Sequence, residues 1–213
     1  DAEAISNVVR IVRDRIDRKP LVVISAIAQA TNMLERAGRL AADGRSGESR
    51  DTLLKLFERH YDIADALIKD RQRHHALRNV IGTSLRELEE LVKGVAILRE
   101  LTPRALDTVC SYGELLSSRV VAVALEENGV SSQWLDTKDF MVTDDRHNAA
   151  SPAIEILMAR LPEIVRPLAE QGVVPVTQGF IGVTRSGHRT TMGRESSDYS
   201  ASIIGAALGV EDV

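Results

Sequence analysis

Aromatic residues make up only 3% of this 213-residue chain. That scarcity argues against a surface on which nucleic-acid bases stack. The formal charge of −4 supplies no broad positive field for phosphate backbones, so no nucleic acid is expected as a partner. No apolar run approaches the ~18 residues of a membrane span, and no membrane partner is expected either. The first residues are polar and acidic, unlike a signal peptide. Cys110 is the single cysteine. It excludes an intrachain disulfide, fits a cytoplasmic, reducing location, and reads as a small packed side chain. The five histidines, His60, His74, His75, His147 and His188, show no metal-ligand spacing. His74 and His75, beside Arg71, Arg73 and Arg78, read as a solvated basic face. Neither a Gly-Gly pair nor a G-x-G-x-x-G fingerprint occurs.

What is present is ordinary for a globular protein: 44% hydrophobic and 27% charged residues, enough for one sizeable core. Ile5, Val8, Val9, Val12 and Ile16 mark one face of an opening helix over residues 2–17. Pro20 stops it, and Leu21-Val-Val-Ile-Ser25 is a short apolar run typical of a buried parallel strand. A small-residue loop over 26–31 leads into a helix reaching about Ala41. Residues 48–101 keep helical apolar spacing throughout and predict an insertion of two or three helices outside the sheet. A helix from Thr102 or Arg104 to Ser111, a turn at Gly113 and a second helix over 114–127 are expected next. Strands follow at 132–137 and 141–143, then a helix from Pro152 closed by Gly172 and a strand over 173–180. The alternation predicts an α/β three-layer sandwich with a mostly parallel central sheet, its ligand site at the carboxyl ends of the strands.

The most informative stretch follows the last strand: a polar, glycine-containing loop and then a helix opening near Ser196 or Ser197. A strand end feeding a helix N-terminus offers free backbone N–H groups and a favourable dipole to an anion. Arg194, Ser197 and Asp198 sit at that junction. Arg194 can grip a carboxylate with its planar fork or form a surface salt bridge. Asp198 can simply complement the helix dipole. Gly182-Val-Thr-Arg-Ser-Gly-His-Arg189 matches half of a phosphate-loop pattern, but His188 and Arg189 stand where lysine and a hydroxyl are required. Glu114, opening a helix, can also be mere dipole complementation. The Thr31 hydroxyl can donate to a ligand or cap a helix, and Ser25 carries a hydroxyl on the same loop.

Four ordered motifs carry a resemblance. Thr190-Thr-Met-Gly-Arg-Glu-Ser-Ser-Asp-Tyr-Ser-Ala201 resembles the signature of the aspartate kinases of the amino-acid kinase superfamily. Val22-Val-Ile-Ser-Ala-Ile-Ala-Gln-Ala-Thr-Asn32 is similar to that family's first substrate loop, and Ser111-Tyr-Gly-Glu-Leu-Leu-Ser117 to its Ser-x-Gly-Glu motif. Gln133-Trp-Leu-Asp136 with Thr143-Asp-Asp-Arg146 resembles the strand and loop that follow. The resemblance implies phosphoryl transfer from ATP, with Mg2+, to the β-carboxylate of L-aspartate, in the pathway to lysine, threonine and methionine. It implies that Arg194 binds the substrate α-carboxylate and Glu114 its ammonium. It further implies that the loop with Ser25 and Thr31 holds the reactive end, that Ser197 lines the substrate site, and that Asp198 organises the charges around the transferred phosphate. A homo-oligomer is implied for the full-length protein. Another amino-acid kinase of glutamate type, or a non-catalytic module of the same fold, is the alternative.

The sequence departs from the family pattern in three places. Glu195 and Ser196 stand where glycines are usual, and Glu195 is expected to point away from phosphate; Gln29 also replaces a glycine. The chain reads as a partial catalytic domain. A Lys-Phe-Gly-Gly-Ser-type strand and loop is expected before Asp1. A nucleotide-binding part and ACT domains are expected after Val213. On that expectation residues 1–213 alone are inactive.

Overall fold

The structure, a computed structural model, describes residues 1–193 and 196–213. Its elements in chain order are α1 (Ala2–Arg13), β1 (Val22–Ile24), α2 (Ala30–Ala42), α3 (Ser46–Leu67), α4 (Arg71–Leu98), α5 (Pro103–Glu127), β2 (Ser132–Trp134), β3 (Val142–Thr143), α6 (Ile154–Glu170), β4 (Val174–Gln178), β5 (Ile181–Thr184), β6 (Arg189–Thr191) and α7 (Ser197–Leu208). The main sheet is parallel, in the order β1-β4-β2. Its register pairs Val22 with Val176 and Trp134 with Val176 from the other side.

Side chains of β1 alternate between two cores, as the period of a strand demands. Val22 and Ile24 pack into a large core with α1 to α5, whereas Leu21 and Val23 pack into a smaller one with α6 and α7. Helices therefore cover both faces of the parallel sheet, as expected. The connection leaving β1 runs to one face and the connection leaving β4 ends in α7 on the other. Neighbouring strands whose connections part in this way open a crevice at their carboxyl ends.

The expected helices over 48–101 are the main part of α3 and the whole of α4, with no strand among them. Asp70 caps α4 through the Arg73 N–H, which donates to its carboxylate at 2.8 Å. No helix among the described residues is long and apolar enough to cross a membrane.

Four local expectations need correction. Gly113 is not a turn: α5 runs unbroken for 25 residues, and Glu114 lies in its interior rather than in a first turn. Glycine is used there for closeness. A Cβ at Gly113 would stand 2.9 Å from the Ala26 Cβ, so its absence lets α5 press against the loop after β1. The strand expected over 132–137 ends at Trp134. The Thr137 N–H is taken by the Gln178 side chain at 3.0 Å, and a short 3-10 turn begins. The helix expected from Pro152 starts at Ile154. Pro152 instead bridges to Thr143.

The half-matched phosphate loop is, in turn, a β-hairpin. β5 and β6 pair antiparallel, and β5 also pairs with β3. The ladder consumes backbone groups that a phosphate cradle would leave free. Arg189 is likewise committed, donating to both Asp136 oxygens at 2.8 and 2.7 Å. Burial opposes ionisation of that carboxylate, but the Arg189 fork overrides it and holds the Asp136 carboxyl below its usual range.

A Cβ at Gly182 would fall 2.6 Å from the Thr143 methyl and 2.9 Å from the Met141 carbonyl oxygen. Gly182→Ala is expected to push β3 from β5 and lower stability by about 1–3 kcal/mol. Thermal unfolding checks it; an unchanged Tm would show that β3 shifts without cost.

Candidate functional site

The crevice at the ends of β1 and β4 is built mainly by one helix. The inward face of α5 carries a polar stripe in an otherwise apolar surrounding: Asp107, Ser111, Glu114, Ser117 and Ser118 are all buried. Residues 107, 111, 114 and 118 follow the spacing that keeps side chains on one helical face. Ser111 Oγ donates back to the Thr108 carbonyl within α5 at 2.7 Å, whereas Glu114, Ser117 and Ser118 also tie loop and strand ends to the helix. Glu114 Oε1 accepts from the Ala26 N–H at 3.2 Å, and Ser117 Oγ donates to the Ser25 carbonyl at 2.8 Å. The Ser118 hydroxyl accepts from Trp134 Nε1 at 2.9 Å and from Gln178 Nε2 at 3.0 Å.

Glu114 is the most perturbed group here. It is 3% exposed, and its Oε2 has no hydrogen-bond partner. Burial pushes its carboxyl up to about 8, against the opposing pull of the Ala26 N–H. A buried polar atom without a partner is rare in folded proteins. A second one lies at the N-terminus of α7: Ser196, the N-cap residue, is buried, makes no capping bond, and leaves its Oγ unpartnered.

The two are linked through the ends of β1 and β4. The Gly179 N–H donates to the Ile24 carbonyl at 3.0 Å. The position of a Gly179 Cβ would be only 2.8 Å from the Ser197 Cβ and 2.9 Å from its Cα. The missing side chain thus lets the α7 N-terminus sit against the end of β4. Phe180 follows at φ 63° and donates its N–H to Ser200 Oγ at 2.9 Å, fixing the first turn of α7 from below.

Among the residues singled out in the sequence, Ser25, Glu114 and Ser197 meet at this crevice through those contacts. Thr31 is nearby: its Oγ1 lies 3.8 Å from where a Gly113 Cβ would be. It is not the N-cap of α2, a position Gln29 takes at φ 69° without a side-chain capping bond. That left-handed backbone explains why glycine suits this place. Asp198 is exposed in the first turn of α7. Arg194 and Glu195, and with them the expected carboxylate grip and the expected orientation of Glu195, lie outside the described residues.

Sequence reasoning missed Asp107, Ser118, Gln178 and Gly179. The first two were legible as polar positions at helical spacing in an apolar helix, had Gly113 been taken as its interior. A cavity of about 470 Å3, lined partly by Lys138, Arg160, Arg185 and Arg189, lies along the hairpin. None of the site residues singled out in the sequence lines it.

The model of the amino acid kinase family matches residues 1–213. The chain belongs to the amino acid kinase family. The chain is 34% identical to aspartokinase 1, chloroplastic, of Arabidopsis thaliana, over 100% of its own length and 37% of that protein's. It is also 34% identical to lysine-sensitive aspartokinase 3 of Escherichia coli, over 88% of this chain and 40% of that one. It thus spans less than half the length of these curated relatives. Its fold matches a crystal structure of E. coli aspartokinase III in complex with aspartate and ADP (R-state), with a TM-score of 0.88 and 30% identity. That match covers 100% of this chain and 45% of the other. The same enzyme with lysine and aspartate (T-state) matches with a TM-score of 0.80 over 94% of this chain. Cys110 is buried, in keeping with a packed side chain. His74 Nε2 and Arg78 Nη1 both contact Asp65 at 2.7 Å on an exposed face.

Proposed function

We propose that the protein containing this chain is an aspartate kinase, moving the γ-phosphoryl of ATP to the β-carboxylate of L-aspartate. The observation that carries the reading is Glu114, a buried carboxylate with one oxygen left unpaired beside the loop after β1. An ammonium group is the natural partner for such an oxygen, because a charge-assisted bond compensates its burial. The E. coli relative in complex with aspartate and ADP supports the choice of substrates.

In this reading Glu114 receives the substrate ammonium and Arg194 its α-carboxylate, so that the pair selects a zwitterionic amino acid. Ser25 and Thr31 hold the reactive end. The attacking carboxylate is already ionised at neutral pH, so no general base is needed. The chain contributes position and electrostatic stabilisation. The free N–H groups at the α7 N-terminus, with Ser196 and Ser197, would donate to phosphoryl oxygens. The unpartnered Ser196 Oγ fits that role. Among the described residues no three acidic, histidine or cysteine side chains gather as a metal cage. The exposed Asp198 fits Mg2+ held mostly by phosphate and water, and such an ion would neutralise charge on the phosphoryl oxygens. We place the reaction in the cytoplasm, in a homo-oligomer of the complete protein.

The test is ADP formation by the complete protein with aspartate against glutamate as acceptor; dependence on glutamate alone refutes the reading. Arg194→Ala should raise KM for aspartate roughly ten- to a hundredfold, the worth of a charge-assisted bond, with KM for ATP little changed. Arg194→Lys should recover only part, lacking the planar fork. If the ATP constant shifts and the aspartate constant does not, Arg194 belongs to the nucleotide.

A further inference from the structure

Asp107 lies two helical turns before Glu114 on the same face of α5, and the two carboxylates are treated in opposite ways. Glu114 keeps an oxygen free. Asp107 is fully buried and accepts from three residues on two other segments. Its Oδ2 is 2.6 Å from His147 Nδ1. The Asn148 N–H reaches both oxygens, at 3.1 and 3.0 Å. Thr191 Oγ1 donates to Oδ1 at 2.5 Å. A buried carboxylate costs several kcal/mol of solvation unless its lone pairs are engaged, and here the surrounding donors engage them.

These donors come from the two segments on the far side of the crevice. His147 and Asn148 belong to the loop after β3, where Asn148 takes a left-handed φ of 67°. Thr191 ends β6, six residues before Ser197 in the chain. The same segments are joined directly: the Ala150 N–H donates to the Thr191 carbonyl at 3.0 Å, and the Thr143 and Thr190 hydroxyls meet at 2.7 Å. The Met192 N–H then donates to the Phe180 carbonyl at 2.9 Å, beside the turn that receives Ser200. One face of α5 therefore holds the β1 loop through Glu114 and Ser117, and the lead-in to α7 through Asp107.

We propose that Asp107 is a positioning residue: by clamping His147, Asn148 and Thr191 to α5 it sets the spacing between Glu114 and the segment entering α7. It touches no substrate. The proposal rests on the aspartate kinase reading for its kinetic form, but the clamp itself is a structural statement. Its consequence is selective. Loss of the clamp loosens one side of the amino-acid site against the other, while Glu114 and its Ala26 contact stay in place.

The experiment uses the complete natural protein with Asp107→Asn, Thr191→Val and Thr191→Ser. Asp107→Asn keeps the shape but removes the charge and sets an amide against the surrounding donors. It should raise KM for aspartate about tenfold or more, the worth of a charge-assisted bond, with KM for ATP little changed. Thr191→Val, which lacks only the donor, should shift the aspartate constant in the same direction by less. Thr191→Ser, which restores the donor, should return it toward the wild-type value. A fall in kcat with both KM values unchanged would mean only a smaller folded fraction and would overturn the proposal, as would equal rises in both constants. Should Asp107→Asn fail to fold, the two Thr191 variants decide by the same criteria. If the wild type shows no aspartate-dependent ADP formation, the functional reading fails on its own. The clamp is then judged by hydrogen exchange in Thr191→Val: faster exchange reaching residues 196–200 supports it, and change confined to residues 147–150 overturns it.

Discussion

Glu114→Gln is expected to weaken aspartate binding roughly ten- to a hundredfold and to remove most of its pH dependence. In the ligand-free protein the Glu114 carboxyl is pushed up to about 8, chiefly by burial, so below that pH it is mostly neutral. A neutral acid offers an ammonium group little. Wild-type affinity for aspartate should therefore climb by up to about tenfold per pH unit below pH 8 and level off above it, with a proton released on binding. Glutamine cannot ionise, and its titration should be flat over the same range. Calorimetry in buffers of different ionisation enthalpy reads both the affinity and the released proton. No proton release, with the same pH profile in both proteins, would remove Glu114 from the ammonium site.

The same group links pH to stability. Its pKa is higher in the folded protein than in the unfolded chain, so the fold favours the protonated form. The stabilisation is complete below about pH 4.5 and is lost as pH rises through about 8. Over that whole window the loss is on the order of 5 kcal/mol. Glutamine lacks it, so Glu114→Gln should gain stability relative to wild type as pH rises, read as the difference in Tm at pH 5 and pH 8.5. The costly ionised state is the one a substrate ammonium would relieve.

Gly179→Ala is expected to damage turnover severely. Its Cβ would lie within 3 Å of the Ser197 Cα and Cβ, so a helix backbone must move rather than a flexible side-chain tip. The displaced part is the α7 N-terminus, whose N–H groups are proposed to meet the phosphoryl oxygens. A shift near 1 Å at a reacting centre costs on the order of a hundredfold in rate. The expected result is a roughly hundredfold fall in kcat, with a stability loss of about 1–3 kcal/mol from overpacking. Wild-type kcat in the variant would show that this helix end plays no part in the reaction. Gly113→Ala makes an instructive comparison. Its clash, 2.9 Å, is with the Ala26 Cβ on a loop, so the damage should fall on aspartate binding more than on turnover.

Much of the architecture is legible in the order of residues because it rests on local periodicity. Leu21 to Ile24 is apolar on both faces and became a strand buried between two cores. Residues 48–101 keep a helical stripe and became the helices α3 and α4. The loop after β1, the Ser-x-Gly-Glu run and the signature ending in Ser197 and Asp198 were legible as motifs, each with its likeness to a known family. What failed was punctuation. Gly113 looks like a turn when only its neighbours along the chain are considered, and the hairpin from Ile181 to Thr191 looks like a loop because its residues are polar.

The sequence alone determined the α/β class, the helical segment, and the residue types at the expected site, because each depends on the period of apolar positions or on a short motif. Only the tertiary structure decided that Glu114 is buried with a free oxygen, that Asp107 is saturated, and that Gly113 and Gly179 are places of close approach. Those facts depend on which segments, distant along the chain, come to lie against α5 and against the end of β4. Solvation and contact distance are set by those neighbours in space, and a carboxylate seven residues from another on the same helix face can meet an entirely different environment.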